Sequence, residues 1–385
     1  MRILFCTPCY KPYFGGIERV VEQLSRRLLG HPDVEAVGIM TSYYRFPSQF
    51  IEGLPDKEEI DGASVMRMHF FPRKLPYFYH LDTGVVSSEM GRVIREFRPT
   101  HVQYTVYDWY LPNLQAYLLS RNQASQILSV YDHRFEPGFG TLPFQWVNGW
   151  LARRMDAVHV VSERARGIVR ETMMADNRKI KVIPLGAELR PTERDGRDFR
   201  EPVTIVSVGR LSPNKGQIDL LQGFIRAREM AKVPCRLVLV GDDGGDEAVL
   251  RLIADEHRLT ENEFLITGYV TEVQLDDWYK KADIFALLSG NESFGLVYTE
   301  AMGRGLPVIA YNIGPLEELF PKGIILLPFK NLQAVEDTLA DLINDRQKRL
   351  ALGNEALNFI ADHCTWESVV QQMLDVYRQA TARRG

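Results

Sequence analysis

The sequence predicts an α/β protein of two domains, each a parallel sheet with helices on both faces. Three observations predict it. Short apolar runs alternate with runs whose apolar residues recur at helical spacing, as in strand–helix–strand units. The alternation runs twice, with a polar, charged stretch from Gly186 to Pro202 between the two passes. The chain has 385 residues, more than one hydrophobic core usually supports. The expected division is a first domain over 1–186, a linker over 187–202 and a second domain over 203–365. A C-terminal helix over 366–385 is expected to pack back on the first domain.

Arg2 to Thr7 is a compact apolar strand. Tyr13-Phe14-Gly15-Gly16 follows, and then Ile17, Val20, Val21, Leu24 and Leu28 fall on one helical face. Adjacent glycines let a backbone approach a ligand closely at a helix start. The spacing is not G-x-G-x-x-G, so the dinucleotide fingerprint is absent. Strands are expected at Val34–Met40, Ser64–His69, His101–Thr105, Gln126–Tyr131, Ala157–Val161 and Ile180–Pro184. Helices are expected at Val85–Phe97, Leu111–Leu119 and Phe144–Arg154.

The second pass places strands at Val203–Val208, Arg236–Val240, Phe264–Thr267, Asp283–Leu288, Pro307–Ala310 and Ile324–Leu327. Ser212 before Pro213 reads as a helix N-cap and first-turn pair. From Leu332 to Ala380 the pattern is helical throughout.

The net charge of −4 is unevenly spread: residues 1–186 hold 23 basic and 19 acidic side chains, the remainder 23 and 31. A basic first half suits an anionic ligand or surface. Ile3 to Cys6 is too short for a signal peptide, and no window nears the ~20 apolar residues of a membrane span. Four cysteines fit a reducing compartment, and Cys6-Thr-Pro-Cys9 has no second pair to complete a metal site. The expected location is cytoplasmic, with peripheral contact at the inner face of the membrane.

Ligands of parallel α/β sheets gather at the carboxyl ends of strands. The first domain offers Gly15, Gly16, Tyr131, Asp132 and His133 there. The second offers Arg210, Lys215, Gly268, Glu292, Phe294, Gly295 and Glu300. The stretch Ser289–Glu300 is the focus. Its two glutamates flank a strand-to-helix turn whose helix, Leu296 to Met302, presents a positive dipole end. Cations suit phosphate oxygens, and carboxylates suit sugar and ribose hydroxyls.

Gly209-Arg210-Leu211 with Lys215-Gly216, then Glu292-x7-Glu300 enclosing Phe294-Gly295-Leu296, then Glu300-Ala301-Met302-x-x-Gly305-x-Pro307-Val308, resemble the retaining glycosyltransferases of family 4. Gly15-Gly16 and Ile183-Pro184-x-Gly186 extend the likeness over nearly the whole chain. The resemblance implies the GT-B fold, two Rossmann-like domains facing each other across a cleft. It implies that Arg210 and Lys215 hold a donor pyrophosphate and that Glu292 contacts the transferred sugar. The backbone of Phe294, Gly295 and Leu296 would meet sugar and phosphate. Glu300 would take the ribose hydroxyls, the main chain at Tyr269 and Val270 the base, and Gly16 the phosphates from the opposite domain. It also implies metal independence and no cofactor beyond the nucleoside-diphosphate sugar itself.

Two positions depart from the family pattern. Tyr131 stands where a His is usual; His133, two residues on and on the same face of an extended strand, is the candidate for that role. Asn312-Ile313-Gly314-Pro315-Leu316-Glu317 has one glycine where two are common. The aromatic and basic stretches Phe70–Tyr79 and Phe144–Arg154 suit a membrane surface or a lipid-linked acceptor. The expected activity is transfer of a sugar from a UDP- or GDP-sugar to a hydroxyl acceptor, with retention, in glycan, polysaccharide or glycolipid assembly. A nucleotide-sugar 2-epimerase and an inactive nucleotide-sugar-binding scaffold are the alternatives. Nucleic acid is not an expected partner. Sugar, base, acceptor and oligomeric state have no signature in the sequence.

Overall fold

A computed structural model describes residues 1–12, 15–45, 49–68, 86–105, 110–131, 149–192 and 202–384. It divides into two units, Met1–Leu185 with Trp366–Gly385, and Gly186–Thr365.

The first unit holds β1 (Arg2–Cys6), β2 (Ala36–Ser42), β3 (Tyr44–Arg45), β4 (Gln49–Phe50), β5 (Lys57–Ile60), β6 (Ala63–Met68), β7 (His101–Tyr104), β8 (Ser125–Val130), β9 (Ala157–Val160) and β10 (Ile180–Val182). Eight of these form one sheet in the order β10-β9-β8-β7-β1-β2-β6-β5, while β3 and β4 pair with each other. The order reverses between β1 and β7, as in a doubly wound sheet. Val20, Val21, Leu24 and Leu28 are all buried on the helix Gly16–Leu29, as their spacing requires.

One expectation is corrected: this sheet is not wholly parallel, because β5 pairs antiparallel with β6 at its edge. Its sequence Lys-Glu-Glu-Ile lacks the apolar run of a buried strand. Charged edge strands also resist pairing with other chains.

The helix Trp366–Ala382 belongs to this unit. Tyr377 is fully buried and its hydroxyl donates to Gln103 on β7. His101 Nε2 lies 3.1 Å from the Tyr377 carbonyl and 2.9 Å from Thr381 Oγ1. His159 Nε2 lies 2.8 Å from the Ile183 carbonyl. Burial pushes both imidazoles down to about 4. Both are therefore neutral at pH 7, donating Nε2–H to those carbonyls. An unfolded histidine titrates near ~6.5. As pH falls from there towards 4, the unfolded chain takes up protons that the folded one refuses. Stability should fall by about 1.4 kcal/mol per pH unit for each such histidine. Urea unfolding followed from neutral to mildly acid pH should show a shallower loss for His101→Gln than for the parent chain; identical slopes would refute the assignment.

The second unit holds β11 (Val203–Val208), β12 (Cys235–Val240), β13 (Phe264–Ile266), β14 (Ile284–Ala286), β15 (Val308–Tyr311) and β16 (Ile324–Leu327). All six are parallel, in the order β13-β12-β11-β14-β15-β16. The direction of winding reverses between β11 and β14, so the crevice at their carboxyl ends is the expected ligand site.

Residues read as a linker lie on this unit as far as Thr192: Ala187 N donates to the Cys364 carbonyl at 2.7 Å and Arg190 N to that of Gly303 at 2.9 Å. The long helical tail is three helices, Leu332–Asn344, Arg346–His363 and Trp366–Ala382. Asp345 separates the first two by capping the second, accepting from Lys348 N at 2.9 Å.

Among the described residues no helix is long and apolar enough to cross a membrane. No three His, Cys, Asp or Glu side chains among them gather as a metal site. All four cysteines are buried and none forms a disulfide.

Candidate active site

The loops after β11 and β14 meet at the winding reversal. After β11 the chain runs through Gly209 and Arg210 to a short 3₁₀ turn, Pro213–Lys215, and then to the helix Gln217–Glu229. Ser212 precedes the turn but makes no side-chain cap hydrogen bond, unlike the expected N-cap. Gly216 is left-handed at φ +65° and lies directly under the second loop. Gly290 N donates to the Asn214 carbonyl at 2.8 Å and ties the two loops together.

Across that tie Lys215 Nζ donates to Glu292 Oε1 at 2.6 Å. Buried Ser289 donates its hydroxyl to the same oxygen at 2.8 Å. The two charged side chains keep 27% and 12% of their exposure, so the pair is shielded yet reachable from solvent. Ser289 opens the Ser289–Glu300 motif and can be picked out there as a small polar residue; Asn214 ties the loops through its backbone carbonyl, which leaves no mark in the sequence.

Phe294 is buried and packs edge-on against Phe320, with centroids 5.6 Å apart. Gly295 follows at φ +84° as the N-cap of Leu296–Met302, with no side-chain cap. A Cβ there would lie 2.3 Å from Tyr298 Cδ2, so no other residue fits without disturbing the helix start. Glu300 lies on this helix, half-buried, and accepts from the Tyr279 hydroxyl at 3.1 Å.

Arg210 is exposed, and its stem lies over the loop after β12. That loop is held by Leu211 N to the Asp242 carbonyl at 2.8 Å and Gly244 N to the Leu211 carbonyl at 2.8 Å. A Cβ at Gly244 would lie 2.6 Å from Arg210 Cγ.

Beside them, β13 ends at left-handed Gly268, whose carbonyl accepts from Gly241 N at 3.1 Å. Tyr269 is exposed and Val270 half-buried. Thr271 then starts the helix Glu272–Lys281 with a complete capping box to Gln274. Thus Arg210, Lys215, Glu292, Gly295 and the Gly268–Val270 segment follow the carboxyl ends of strands in one sheet, and Glu300 lies on the helix that Gly295 starts.

Gly15 caps the helix Gly16–Leu29, its carbonyl accepting from Arg19 N at 3.1 Å; Gly16 has open space where a Cβ would stand. Glu18 in the same turn is buried, and desolvation raises its carboxyl to about 7 against hydrogen bonds from the Glu18 and Gly15 backbones. Tyr131 is buried, taking a hydrogen bond from Gln103 Nε2 at 3.4 Å and packing edge-on to His159 at 5.5 Å. His133 lies outside the described residues, as do Asp132 and the 70–79 stretch. Of the stretch expected to be helical over Phe144–Arg154, residues 149–154 are described and helical. Glu317 accepts from Asn312 Nδ2 at 3.4 Å.

Two family models match the chain: a glycosyl transferase 4-like domain over residues 15–186 and glycosyl transferases group 1 over residues 190–359. The D-inositol 3-phosphate glycosyltransferase of Xylanimonas cellulosilytica is 34% identical over 238 residues, 58% of this chain and 56% of that protein. The chain spans about half the length of the first such relatives it matches. A GDP-mannose-dependent alpha-(1-6)-phosphatidylinositol monomannoside mannosyltransferase of Mycobacterium tuberculosis is 29% identical, with 100% of both chains covered. Among solved structures, sucrose-phosphate synthase of Thermosynechococcus elongatus superposes with a TM-score of 0.77 over 99% of both chains at 20% identity. Anabaena Alr3699/HepE in complex with UDP and glucose gives 0.75 over 97% of this chain and 98% of that one, at 19% identity. At these identities the likeness shows the fold.

Proposed function

We propose that this chain, which belongs to family 4 of the retaining glycosyltransferases and has their GT-B fold, moves a sugar from a nucleoside diphosphate to a hydroxyl acceptor. The observation that carries the reading is the Lys215–Glu292 pair at the winding reversal, 2.6 Å apart and steadied by Ser289. Donor binding divides the pair between its two ends. The diphosphate takes Lys215, with Arg210 as a second cation, and the sugar hydroxyls donate to Glu292.

Charge builds on the β-phosphate as the glycosidic bond breaks, and fixed cations there lower the barrier. The reaction as proposed uses no metal or other cofactor. The backbone of Phe294, Gly295 and Leu296 borders sugar and phosphate, Glu300 takes the ribose, and the main chain at Tyr269 and Val270 meets the base. Gly15, Gly16 and His133 of the first unit are assigned to the donor as well.

Several relatives are named for inositol 3-phosphate or a phosphatidylinositol mannoside as acceptor. An anionic polyol or lipid-linked glycan acceptor suits the basic first half of this chain, and a lipid-linked one would bring it to the inner face of a membrane.

The test incubates the protein with GDP-mannose, UDP-glucose or UDP-N-acetylglucosamine, with and without inositol 3-phosphate or phosphatidylinositol vesicles. Acceptor-dependent release of nucleoside diphosphate and an α-linked product are expected, with salt-sensitive flotation on anionic vesicles if the acceptor is lipid-linked. An epimerised donor formed without acceptor, or no turnover of any donor, would overturn the reading.

A further inference from the structure

We infer that Tyr279 is a positioning residue for Glu300, and that its helix couples the base subsite to the ribose subsite. The inference rests on the reading that Glu300 accepts ribose hydroxyls. Tyr279 has no solvent exposure, yet its hydroxyl reaches Glu300 Oε2 at 3.1 Å. Its ring is fixed by its neighbours. Phe285 of β14 stacks on it with centroids 6.0 Å apart, and the Arg304 guanidinium lies 4.4 Å from its centroid.

Arg304, itself buried, donates from one nitrogen to the Glu300 carbonyl at 2.9 Å and from another to Asp276 Oδ1 at 2.7 Å. Burial would raise the Asp276 carboxyl, but hydrogen bonds from Lys280 and Arg304 outweigh it and hold it at about 2. Asp276 therefore stays ionised and keeps Arg304 in place. Glu300 is gripped at both main chain and carboxylate by side chains that cannot rearrange cheaply.

Asp276 and Tyr279 lie on the helix Glu272–Lys281, whose start is set by the Thr271 capping box directly after Gly268-Tyr269-Val270. The segment assigned to the base is thus the entry to the helix whose buried face orients the carboxylate assigned to the ribose. A glutamate free on a helix surface loses rotamer entropy when it engages a ligand. One held in advance by a buried phenol does not, and the vicinal 2′,3′-diol of a ribonucleotide gains the difference.

Tyr279→Phe keeps the ring and removes only the hydroxyl. Affinities for UDP, GDP and their 2′-deoxy counterparts are measured on the parent chain, on Tyr279→Phe and on Glu300→Gln, with melting curves to establish folding. Tyr279→Phe should weaken the ribonucleotide by about three- to tenfold. It should weaken the deoxynucleotide less, so the ribo-over-deoxy ratio shrinks. Glu300→Gln should shrink it at least as far. Equal weakening of both nucleotides by Tyr279→Phe, or an unchanged ratio while Glu300→Gln abolishes it, would overturn the positioning role and leave the ribose reading standing. An unchanged ratio in Glu300→Gln would overturn the ribose reading itself.

Discussion

Lys215→Ala should lower turnover at saturating donor by roughly 10²- to 10³-fold, the usual effect of removing one fixed charge stabiliser from a transition state. The ammonium lies at the carboxyl end of β11, 2.6 Å from the carboxylate assigned to the sugar. Arg210, whose stem lies over the loop after β12, is the second cation assigned to the diphosphate and should keep part of the binding without replacing the charge beside Glu292. The substitution also leaves Glu292 without its cation, which costs stability. Ser289 still donates to it, and the pair is partly exposed at 27% and 12%, so that cost stays well below the 3–5 kcal/mol of breaking a fully buried pair. Loss of activity therefore exceeds loss of fold. The check is kcat by nucleoside-diphosphate release beside a melting curve of the same sample. A folded Lys215→Ala within roughly threefold of the parent kcat would refute the assignment.

The fold was most legible where short apolar runs are bounded by turn residues. Val203–Val208, buried along its length, and Ile324–Leu327, half-buried at the sheet edge, have the same bounds in sequence and structure, because each is a short apolar or β-branched run closed by Gly and Pro, Pro202 and Gly209 around the first and Gly323 and Pro328 around the second. β5 escaped, since Lys-Glu-Glu-Ile owes its strand to pairing with β6 rather than to its own pattern. The helix Glu163–Met173 escaped too: it buries only Val169 and Met173 and is marked chiefly by the Ser162 cap, which accepts from Ala165 N.

At the site, the individual groups were legible from their places after strands, but their partnerships were not. Lys215 and Glu292 are 77 residues apart, and Tyr279 and Glu300 are 21 apart. No local spacing connects a phenol in an apolar helix face with a carboxylate on the next. Tyr279 belongs to no motif in the sequence, and it is the fold that brings its hydroxyl to Glu300.

Gly216→Ala should damage fold and activity together. Gly216 is left-handed at φ +65°, and a Cβ there would stand 2.0 Å from the Leu288 carbonyl oxygen and 2.7 Å from its carbon. The backbone conformation alone costs an alanine about 1–2 kcal/mol. The collision adds more, because the obstacle is main chain and cannot swing aside. The loops after β11 and β14 must therefore separate where Gly290 N meets the Asn214 carbonyl and Lys215 meets Glu292. A melting temperature lower by roughly 5–10 °C is expected for a unit of this size. A shift of about 1 Å at a charge-stabilising group costs on the order of 10²-fold in rate, so kcat/KM should fall further than the unfolded fraction explains. Gly245→Ala is the comparison. It too has a positive φ, +114°, but no atom lies within 4 Å of its Cβ, so it carries the conformational cost without the collision. If Gly216→Ala melts and turns over like Gly245→Ala, the two loops are not held together as described.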